Sequence, residues 1–227
     1  MPERQRNIPS QADVIDIYNT HSETFDQRFN ASSKRIKQFS IIDAPQIAIT
    51  LGVENALEIG CGTGRLLKQL EAKHAIGIDI ANNLLDLAKK NGLNVQEADA
   101  HNLPFEDASF DAITMGNGVF RYLDYNKALN EMYRVLKPFG RIAIHQYAAY
   151  TWSPRQIFKP RDSISMHVQN LGEIRQPATQ IGLREEELYL WRTSKFFPYI
   201  VRIPEWLALN FWNHATFIFQ KDSQRRS

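Results

Sequence analysis

Three glycines that alternate with small residues, near the middle of the chain, could hold a ligand that carries a negatively charged group. They are Gly60, Gly62 and Gly64, and they follow a short apolar run that is typical of a buried strand. Glycine is needed where the backbone takes positive φ or where a ligand must come close. A helix that begins directly after them would present free N–H groups and the positive end of its dipole. The stretch therefore predicts a nucleotide-type site.

A carboxylate at a characteristic distance strengthens that prediction. Asp79 ends the apolar run 75–79, and a spacing of about 20 residues from the loop is where the second strand of a βαβ unit presents a carboxylate to a ribose. A dinucleotide-binding loop would need its third glycine at position 65, where this chain has Arg65. The loop instead follows an acid inside the strand, Glu58, and has the pattern Glu-x-Gly-x-Gly-x-Gly.

Alternating strands and helices must position these residues. The periodicity predicts strands over 75–79, 94–98, 110–115 and 141–147, helices over 65–72, 82–91 and 124–136, and a turn at 137–140. Strands that alternate with helices of this length indicate βαβ units around a parallel sheet. Ligands of such sheets bind beyond the carboxyl ends of the strands. Four candidates fall together there: Gly60, Asp79, Asp99 and Asn117. We therefore expect one adenosine-type site.

Patterns near the two ends of the chain predict further helices and strands outside the central region in which strands and helices alternate. Helical spacing predicts helices over 10–29, with Tyr18 on the apolar stripe, and over 33–51. Strands are expected over 185–193 and 214–220, and the connection 194–213 is long for a hairpin, which makes it a candidate functional segment. All four tryptophans lie in the last third of the chain, namely Trp152, Trp191, Trp206 and Trp212. They fit an apolar substrate pocket, a dimer surface, a partner-binding face or, for Trp191, plain core packing.

Composition and charge narrow the class of protein. The chain has 27 Lys and Arg against 25 Asp and Glu, a net charge of +2, which does not indicate a strong nucleic-acid footprint. Its single cysteine, Cys61, excludes an intrachain disulfide and favours a reducing, cytoplasmic setting. No signal peptide is expected, because residues 1–10 are polar and have no apolar core. No transmembrane helix is expected either, because the apolar stretch 196–212 is broken by prolines and charges. No spacing of histidines, cysteines or acids suggests a metal site.

Several motifs in the centre of the chain resemble those of one enzyme superfamily. They are Glu58-x-Gly60-x-Gly62-x-Gly64, Asp99-Ala100-x-x-Leu103-Pro104-Phe105, Ser109-Phe110-Asp111 and Leu136-Lys137-Pro138-x-Gly140. In order and spacing they resemble class I S-adenosylmethionine (SAM)-dependent methyltransferases, a superfamily that includes ubiquinone- and menaquinone-biosynthesis enzymes. The resemblance covers about 54–145 of the chain and is specific for the SAM fold rather than for what is methylated.

The resemblance implies a fold and a division of the chain. The fold would be a Rossmann-like α/β fold, with a central, mostly parallel seven-stranded sheet, helices on both faces and an antiparallel C-terminal edge strand. Residues 1–52 would form a helical cap over the cofactor site, and residues 53–227 the methyltransferase domain. Within that domain, 146–182 and 194–213 would be insertions on the substrate side or at an interface.

The resemblance also implies roles around the methionine part of SAM. The glycines, with Cys61 between them, would let the loop pass close to it, and Glu58 would organise its ammonium group. The backbone near Asn117 would meet the same amine. Tyr18 would line the site from the leading helix, although packing on the core is an equal alternative for an aromatic residue on an amphipathic helix.

Other residues would bind the nucleoside part. Asp79 would accept hydrogen bonds from the two ribose hydroxyls, and Ile80 would lie against the adenine. Asp99 would accept from the adenine amino group, and the Ala100 N–H would serve a ring nitrogen. The alternatives are a helix cap for Asp79 and a turn-forming residue for Asp99.

The expected function is SAM-dependent methyl transfer to a small-molecule acceptor by direct in-line displacement, since the sulfonium already activates the methyl group. An amine, thiolate or stabilised carbanion needs no strong base, whereas a hydroxyl is helped by one. The candidates for that base are His101 and His145, with Tyr147 as a hydrogen-bond partner. Two alternatives stay open: a tRNA-modifying methyltransferase, and a SAM-binding regulator or partner protein without transfer activity. A monomer or homodimer is expected.

Overall fold

One sheet organises the residues that the computed structural model describes, which are 10–22, 24, 27, 33–116, 119–147, 171–192, 201–202 and 214–223. Its strands are β1 (Asn55–Ile59), β2 (His74–Asp79), β3 (Val95–Glu97), β4 (Phe110–Met115), β5 (Leu136–Tyr147), β6 (Leu183–Arg192), β7 (Val201–Arg202) and β8 (His214–Lys221). They lie side by side in the order β3-β2-β1-β4-β5-β8-β6-β7.

Pairing in the sheet is parallel from β3 to β5 and antiparallel beyond it. Strand β8 runs antiparallel to both β5 and β6. The predicted Rossmann-like fold, mostly parallel with antiparallel C-terminal strands, is therefore confirmed. The C-terminal strand itself lies inside the sheet and not at its edge, because β6 pairs with its outer side and the two-residue β7 pairs with β6. Because β8 has a hydrogen-bonded strand on each side, it is buried from His214 to Phe219.

Helices connect and cover these strands. They are α1 (Gln11–Thr20), α2 (Ser33–Ala48), α3 (Asn82–Lys90), α4 (Tyr125–Val135) and α5 (Leu171–Gln180), with short 3-10 helices at Leu67–Gln69 and Val119–Tyr122. A capping box begins α1, in which the side chains of Ser10 and Asp13 each accept the other's backbone N–H. None of the described helices is long and apolar enough to cross a membrane.

Side chains alternate across the sheet and fill a core on each face. On β8, Phe217 and Phe219 belong to the large apolar cluster that also contains the buried residues of α4 and α5. Ile218, between them, belongs to a smaller cluster with Ile49, which follows α2. Since neighbours along a strand point to opposite faces, helices lie on both faces of the sheet, as predicted.

Two local predictions are wrong. Residues 65–72 form turns and one 3-10 helix in place of a crossover helix, because bonds such as Leu70 N–H to the Leu67 carbonyl tighten the chain before Leu70 becomes extended. The predicted turn at 137–140 lies inside β5, which begins directly after α4. Phe139 has φ +63° there and the β4–β5 register shifts, so the turn residues form a β-bulge.

Candidate cofactor site

The glycine loop takes backbone conformations that require glycine. The φ angle is +71° at Gly60, +54° at Gly62 and +82° at Gly64. The Gly60 N–H donates to the Ile78 carbonyl at 2.8 Å, which ties the loop to the end of β2. A Cβ atom on Gly60 would overlap Val119, in the 3-10 helix after β4. The loop thus lies between the end of β2 and the 3-10 helix that follows β4.

Asp79 organises the loop and faces the same space. Its Oδ2 accepts the Gly62 N–H at 2.9 Å, and its Oδ1 accepts the Ala81 N–H at 2.9 Å. Burial raises the pKa of this carboxyl, and the backbone hydrogen bonds oppose that rise. Each carboxylate oxygen has a second lone pair. Asp79 can therefore accept hydroxyl hydrogens from a ligand while it holds the loop.

Glu58 is a buried acid whose carboxyl group is only partly hydrogen-bonded within the described residues. The residue is 2% exposed, and its Oε2 has no hydrogen-bond partner among the described residues. Burial raises the pKa of its carboxyl well above the usual range, although the nearby Arg65 guanidinium opposes the rise. An unsatisfied buried acceptor costs free energy. A cationic group of a ligand would satisfy this oxygen.

A buried ion pair fastens helix α2 to the glycine loop. The Arg65 guanidinium meets the Asp43 carboxylate of α2 through two contacts, Nη1 to Oδ2 and, at 3.2 Å, Nη2 to Oδ1. The Asp43 side chain is 1% exposed and the Arg65 side chain 17%. Burial raises the pKa of Asp43, and the guanidinium lowers it. In the sequence Arg65 only argued against a dinucleotide loop, because its partner lies more than 20 residues away along the chain.

His101 is fully engaged in holding two loops together. Its backbone N–H donates to Asp99 Oδ1 at 2.9 Å, and its Nδ1 lies 2.7 Å from the same oxygen. Its Nε2 accepts the Asp124 N–H at 2.9 Å. Because Nε2 accepts, the ring proton sits on Nδ1 and is donated to Asp99. Both ring nitrogens are thus used, and this arrangement does not support the predicted role of His101 as a catalytic base.

A cavity of about 580 Å³ brings most of the predicted cofactor residues together. From the predicted set it is lined by Tyr18, Glu58, Gly60, Cys61, Gly62, Asp79, Ile80, Asp99, Ala100 and His101. Gly64 is not part of this lining, and a Cβ atom there would overlap Leu93. Asn117 lies outside the described residues, as do Trp152, Trp206, Trp212 and the side chains of Trp191 and Tyr147.

His145 does not line this cavity. It is completely buried in β5, where its Nε2 lies 3.2 Å from Nδ1 of His214 in β8. The two rings stack with their centroids 5.4 Å apart. Burial lowers the pKa of both imidazoles, that of His214 to about 4. The structure therefore places His145 in the core between two strands and not at the cavity wall, which counts against the predicted role as a base.

The lining also includes residues that were not singled out from the sequence, and two of them carry hydrogen-bonding side chains next to Tyr18. Arg121 and Tyr122 belong to the 3-10 helix after β4, and both line the cavity. The Tyr122 ring meets the Tyr18 ring of α1 edge to face, with centroids 6.1 Å apart. No motif covers this stretch, and the one signal available was a charged residue within the otherwise apolar and aromatic run 119–123.

Comparison with known proteins identifies the central part of the chain. Residues 57–144 match a protein family described as a methyltransferase domain. The chain is 39% identical over 114 residues to a demethylmenaquinone methyltransferase of Thermus thermophilus, a match that covers 44% of this chain and 52% of that protein. It is 33% identical over 139 residues to a probable tRNA methyltransferase 9B of Bos taurus, covering 60% of this chain and 29% of that protein. The chain thus spans about half or less of the length of these two relatives.

A solved structure shares the fold over nearly the whole chain. It is a SAM-dependent methyltransferase from Thermotoga maritima, described as a possible histamine N-methyltransferase, with a TM-score of 0.69 and 21% identity over 92% of this chain and 99% of that chain. The stretch matched by the family model includes every predicted cofactor residue except Tyr18. Motif order, sheet topology and family match agree. The matched stretch 57–144 is therefore a methyltransferase domain of the class I SAM-dependent type, and this domain implies SAM as the cofactor.

Proposed function

We propose that this protein transfers the methyl group of SAM to a small-molecule acceptor by direct in-line displacement. The observation that carries the proposal is a single cavity in which the glycine loop and Asp79 meet the buried Glu58, whose Oε2 has no partner among the described residues. When bound, SAM supplies a methyl group that its sulfonium already activates. The protein is then left to bind, to orient and to exclude water.

The residues that line the cavity offer a hydrogen-bond partner or a contact for each part of SAM. Ammonium N–H groups would satisfy the open oxygen of Glu58, and ribose hydroxyls would use the remaining lone pairs of Asp79. Asp99 would accept from the adenine amino group, beside the Ala100 N–H and Ile80. The Nδ1–H of His101 would keep the Asp99 carboxylate in place.

Helix α1 supplies the cover that keeps water out. Gln11, Val14 and Tyr18 line the cavity from this helix. The helix is joined to the domain at its C-terminal end, where Asn83 donates its N–H to Asn19 Oδ1 at 3.1 Å. A closed site strengthens electrostatic interactions inside it and aligns the reacting groups. These contacts support α1 as part of the active-site wall.

The wall favours acceptors that need no strong base. His101 is the one histidine in the described lining, and both of its ring nitrogens are bonded. Burial raises the pKa of the Tyr18 phenol, so this group stays protonated at neutral pH. An amine, thiolate or stabilised carbanion therefore suits the cavity better than an unactivated hydroxyl. Aromatic acceptors of the quinol type head the candidates, because the relatives include a demethylmenaquinone methyltransferase.

A tRNA-modifying activity is the second candidate, since another relative is a probable tRNA methyltransferase. Binding of tRNA would need a continuous basic surface around the site. The net charge of +2 does not favour one. A SAM-binding regulator without transfer activity is the third candidate, because the loop and its acids account for binding alone.

Calorimetric titration with SAM and with S-adenosylhomocysteine tests the cofactor first. We expect micromolar binding by the wild type, strong weakening in Asp79→Asn, and no change in Asp86→Asn, whose side chain is 63% exposed on α3. Methyl-labelled SAM is then supplied with quinols, aromatic amines and thiols, and separately with tRNA. Labelled small-molecule product with equimolar S-adenosylhomocysteine supports the proposal. Absence of SAM binding overturns it, transfer to tRNA alone supports the second candidate, and binding without any transfer supports the third.

A further inference from the structure

One face of the sheet carries buried polar side chains near the carboxyl ends of its central strands, under helix α2. In the strand register, Glu58 of β1 is the partner of Thr114 of β4, and His145 of β5 is the partner of Thr216 of β8. None of the four is more than 2% exposed. Side chains two positions apart share a face, and two positions earlier on β1, β4 and β5 this face is apolar, with Ala56, Ala112 and Ala143. We call the four residues and Gln46 of α2 the polar layer.

Helix α2 contributes Gln46, which is completely buried. Its amide lies beside Gly116, which stands two positions after Thr114, directly beyond the end of β4. A Cβ atom on Gly116 would lie 3.5 Å from Oε1 and 3.8 Å from Nε2 of Gln46, and 3.4 Å from the Leu66 side chain. These are ordinary contact distances, so a group of methyl size fits next to the amide. A water molecule has about that size.

Polar atoms of this layer lack hydrogen-bond partners. Among the described residues, the unpartnered buried atoms of the layer are both amide atoms of Gln46, Glu58 Oε2, Thr114 Oγ1 and Thr216 Oγ1. Leaving such atoms unpaired costs free energy. An amide and a hydroxyl both donate and accept, so whatever satisfies them must do both. An anion only accepts and a metal cation only contacts acceptors, whereas water does both and is small enough for a buried space.

Glu58 connects the polar layer with the cavity. The cavity lining includes Glu58 and Arg65 but not Gln46, which lies about one helical turn after Asp43. Burial raises the pKa of the Glu58 carboxyl, Arg65 lowers it, and Asp43 and Asp79 raise it. The layer therefore lies behind the cavity wall, and Glu58 has the cavity on one side and the layer on the other.

We propose that Gln46, Thr114 and Glu58 bind internal water between α2 and the sheet. A water that meets these three side chains makes the about three hydrogen bonds that are typical of buried water. It solvates the Glu58 carboxylate from behind, which favours the charged form that receives a cofactor cation. Each carboxylate oxygen has two lone pairs, so water and an ammonium group are bound together. The effect on Glu58 rests on the proposed function, whereas the binding of water does not.

A high-resolution crystal structure of the cofactor-free protein tests the water directly. We expect ordered water within hydrogen-bond distance of Gln46 and Thr114 in the wild type, and its loss in Gln46→Met and Thr114→Val. Gly116→Ala should expel the same water, because it adds only a methyl group and Gly116 is not among the glycines with positive φ. The matched controls Gln180→Met and Thr179→Val make the same changes at exposed positions of α5 and should keep the water. A wild-type layer without water overturns the inference.

Urea unfolding gives a second readout in solution. If water fills the layer, Gln46→Met and Thr114→Val leave the remaining groups without a hydrogen bond and lower the urea midpoint. If the layer is dry, the same substitutions remove an unpaired polar group and raise the midpoint. A lowered midpoint in both variants, with little change in the two controls, supports the water site. An unchanged or raised midpoint in either variant contradicts it.

The effect on Glu58 is measured by calorimetric titration with SAM at several pH values. Without the water, the charged carboxylate is less well solvated, so Thr114→Val should bind SAM about 3- to 10-fold more weakly and release its proton at higher pH than the wild type. Thr179→Val should behave as the wild type. Unchanged affinity and proton release in Thr114→Val overturn the effect on Glu58 alone. Failure of the wild type to bind SAM overturns the proposed function, and the crystal structure and urea midpoints still decide the water site.

Discussion

The buried carboxyl of Glu58 predicts that SAM binding releases a proton. Its Oε2 has no hydrogen-bond partner among the described residues, and burial raises its pKa well above 4.5. Between pH 4.5 and that raised value, the ligand-free protein holds this group protonated. A cation placed against it favours the charged form and lowers its pKa. Binding should therefore expel up to one proton, and the affinity for SAM should rise with pH until the raised pKa is passed.

The size of the effect follows from the contact that the carboxylate would make. A hydrogen bond to a charged group contributes about 1.5–3 kcal/mol, so Glu58→Gln should weaken SAM binding about 10- to 100-fold. The substitution keeps the size and shape of the side chain and removes only its charge. Glu54→Gln is the matched control, because this acid precedes the same strand and its side chain is 53% exposed.

Calorimetry in buffers of different ionisation enthalpy measures the protons directly. The slope of the observed enthalpy against the buffer enthalpy gives the number released, here from about pH 5.5 to 8. We expect release by the wild type and by Glu54→Gln, and none by Glu58→Gln. The reasoning is refuted if the wild type releases no proton anywhere in this range, or if Glu58→Gln releases as many.

Two further predictions concern stability. Asp43→Ala leaves the Arg65 guanidinium buried without its carboxylate, so it should lower the free energy of unfolding by about 3–5 kcal/mol. The double variant Asp43→Leu/Arg65→Met removes both charges and should cost less. Urea unfolding measures both, and an equal or larger cost of the double variant would contradict the reasoning. The pKa of His214 is lowered from 6.5 to about 4, so the unfolded chain binds this proton more readily. Its contribution is present above pH 6.5 and is lost as pH falls, about 2–3 kcal/mol by pH 4.5. His214→Phe should lose less stability than the wild type between pH 7 and 4.5, whereas the exposed-site control His74→Gln should match the wild type.

Local patterns predicted the strands and, through the rule that parallel strands end at one edge of a sheet, the residues that meet at the site. Strand β4 has the predicted bounds, Phe110–Met115, because a compact apolar run between turn residues leaves little choice. Gly60, Asp79 and Asp99 share a cavity, as strand ends of one parallel sheet must. Asp111, which ends the motif Ser109-Phe110-Asp111, accepts the Asn55 N–H and the Lys137 ammonium and so has a structural role.

Contacts between segments that are far apart in the sequence could not be predicted from local patterns. His101 has the residue type of a base, but only the fold brings the Asp124 N–H to its second nitrogen. His145 lies near a strand end, yet alternation along β5 sends it into the core against His214. Arg134 shows the same limit: it donates to the carbonyls of Leu103 and Phe105 and so fastens the loop after β3, although no motif predicted this role.

The role of Arg65, the residue that departs from the dinucleotide pattern, also depends on a contact that is distant in the sequence. Position 65 holds Arg65 where a dinucleotide loop would have glycine, and that side chain reaches back to the leading helix α2 through Asp43. Its guanidinium also lies close enough to Glu58 to oppose the rise in that carboxyl's pKa. One arginine therefore connects α2, the glycine loop and the acid that would receive the SAM ammonium. Because these three share a residue, docking of the leading helix and binding of the cofactor should stabilise each other, and loss of Asp43 should weaken SAM binding as well as the fold.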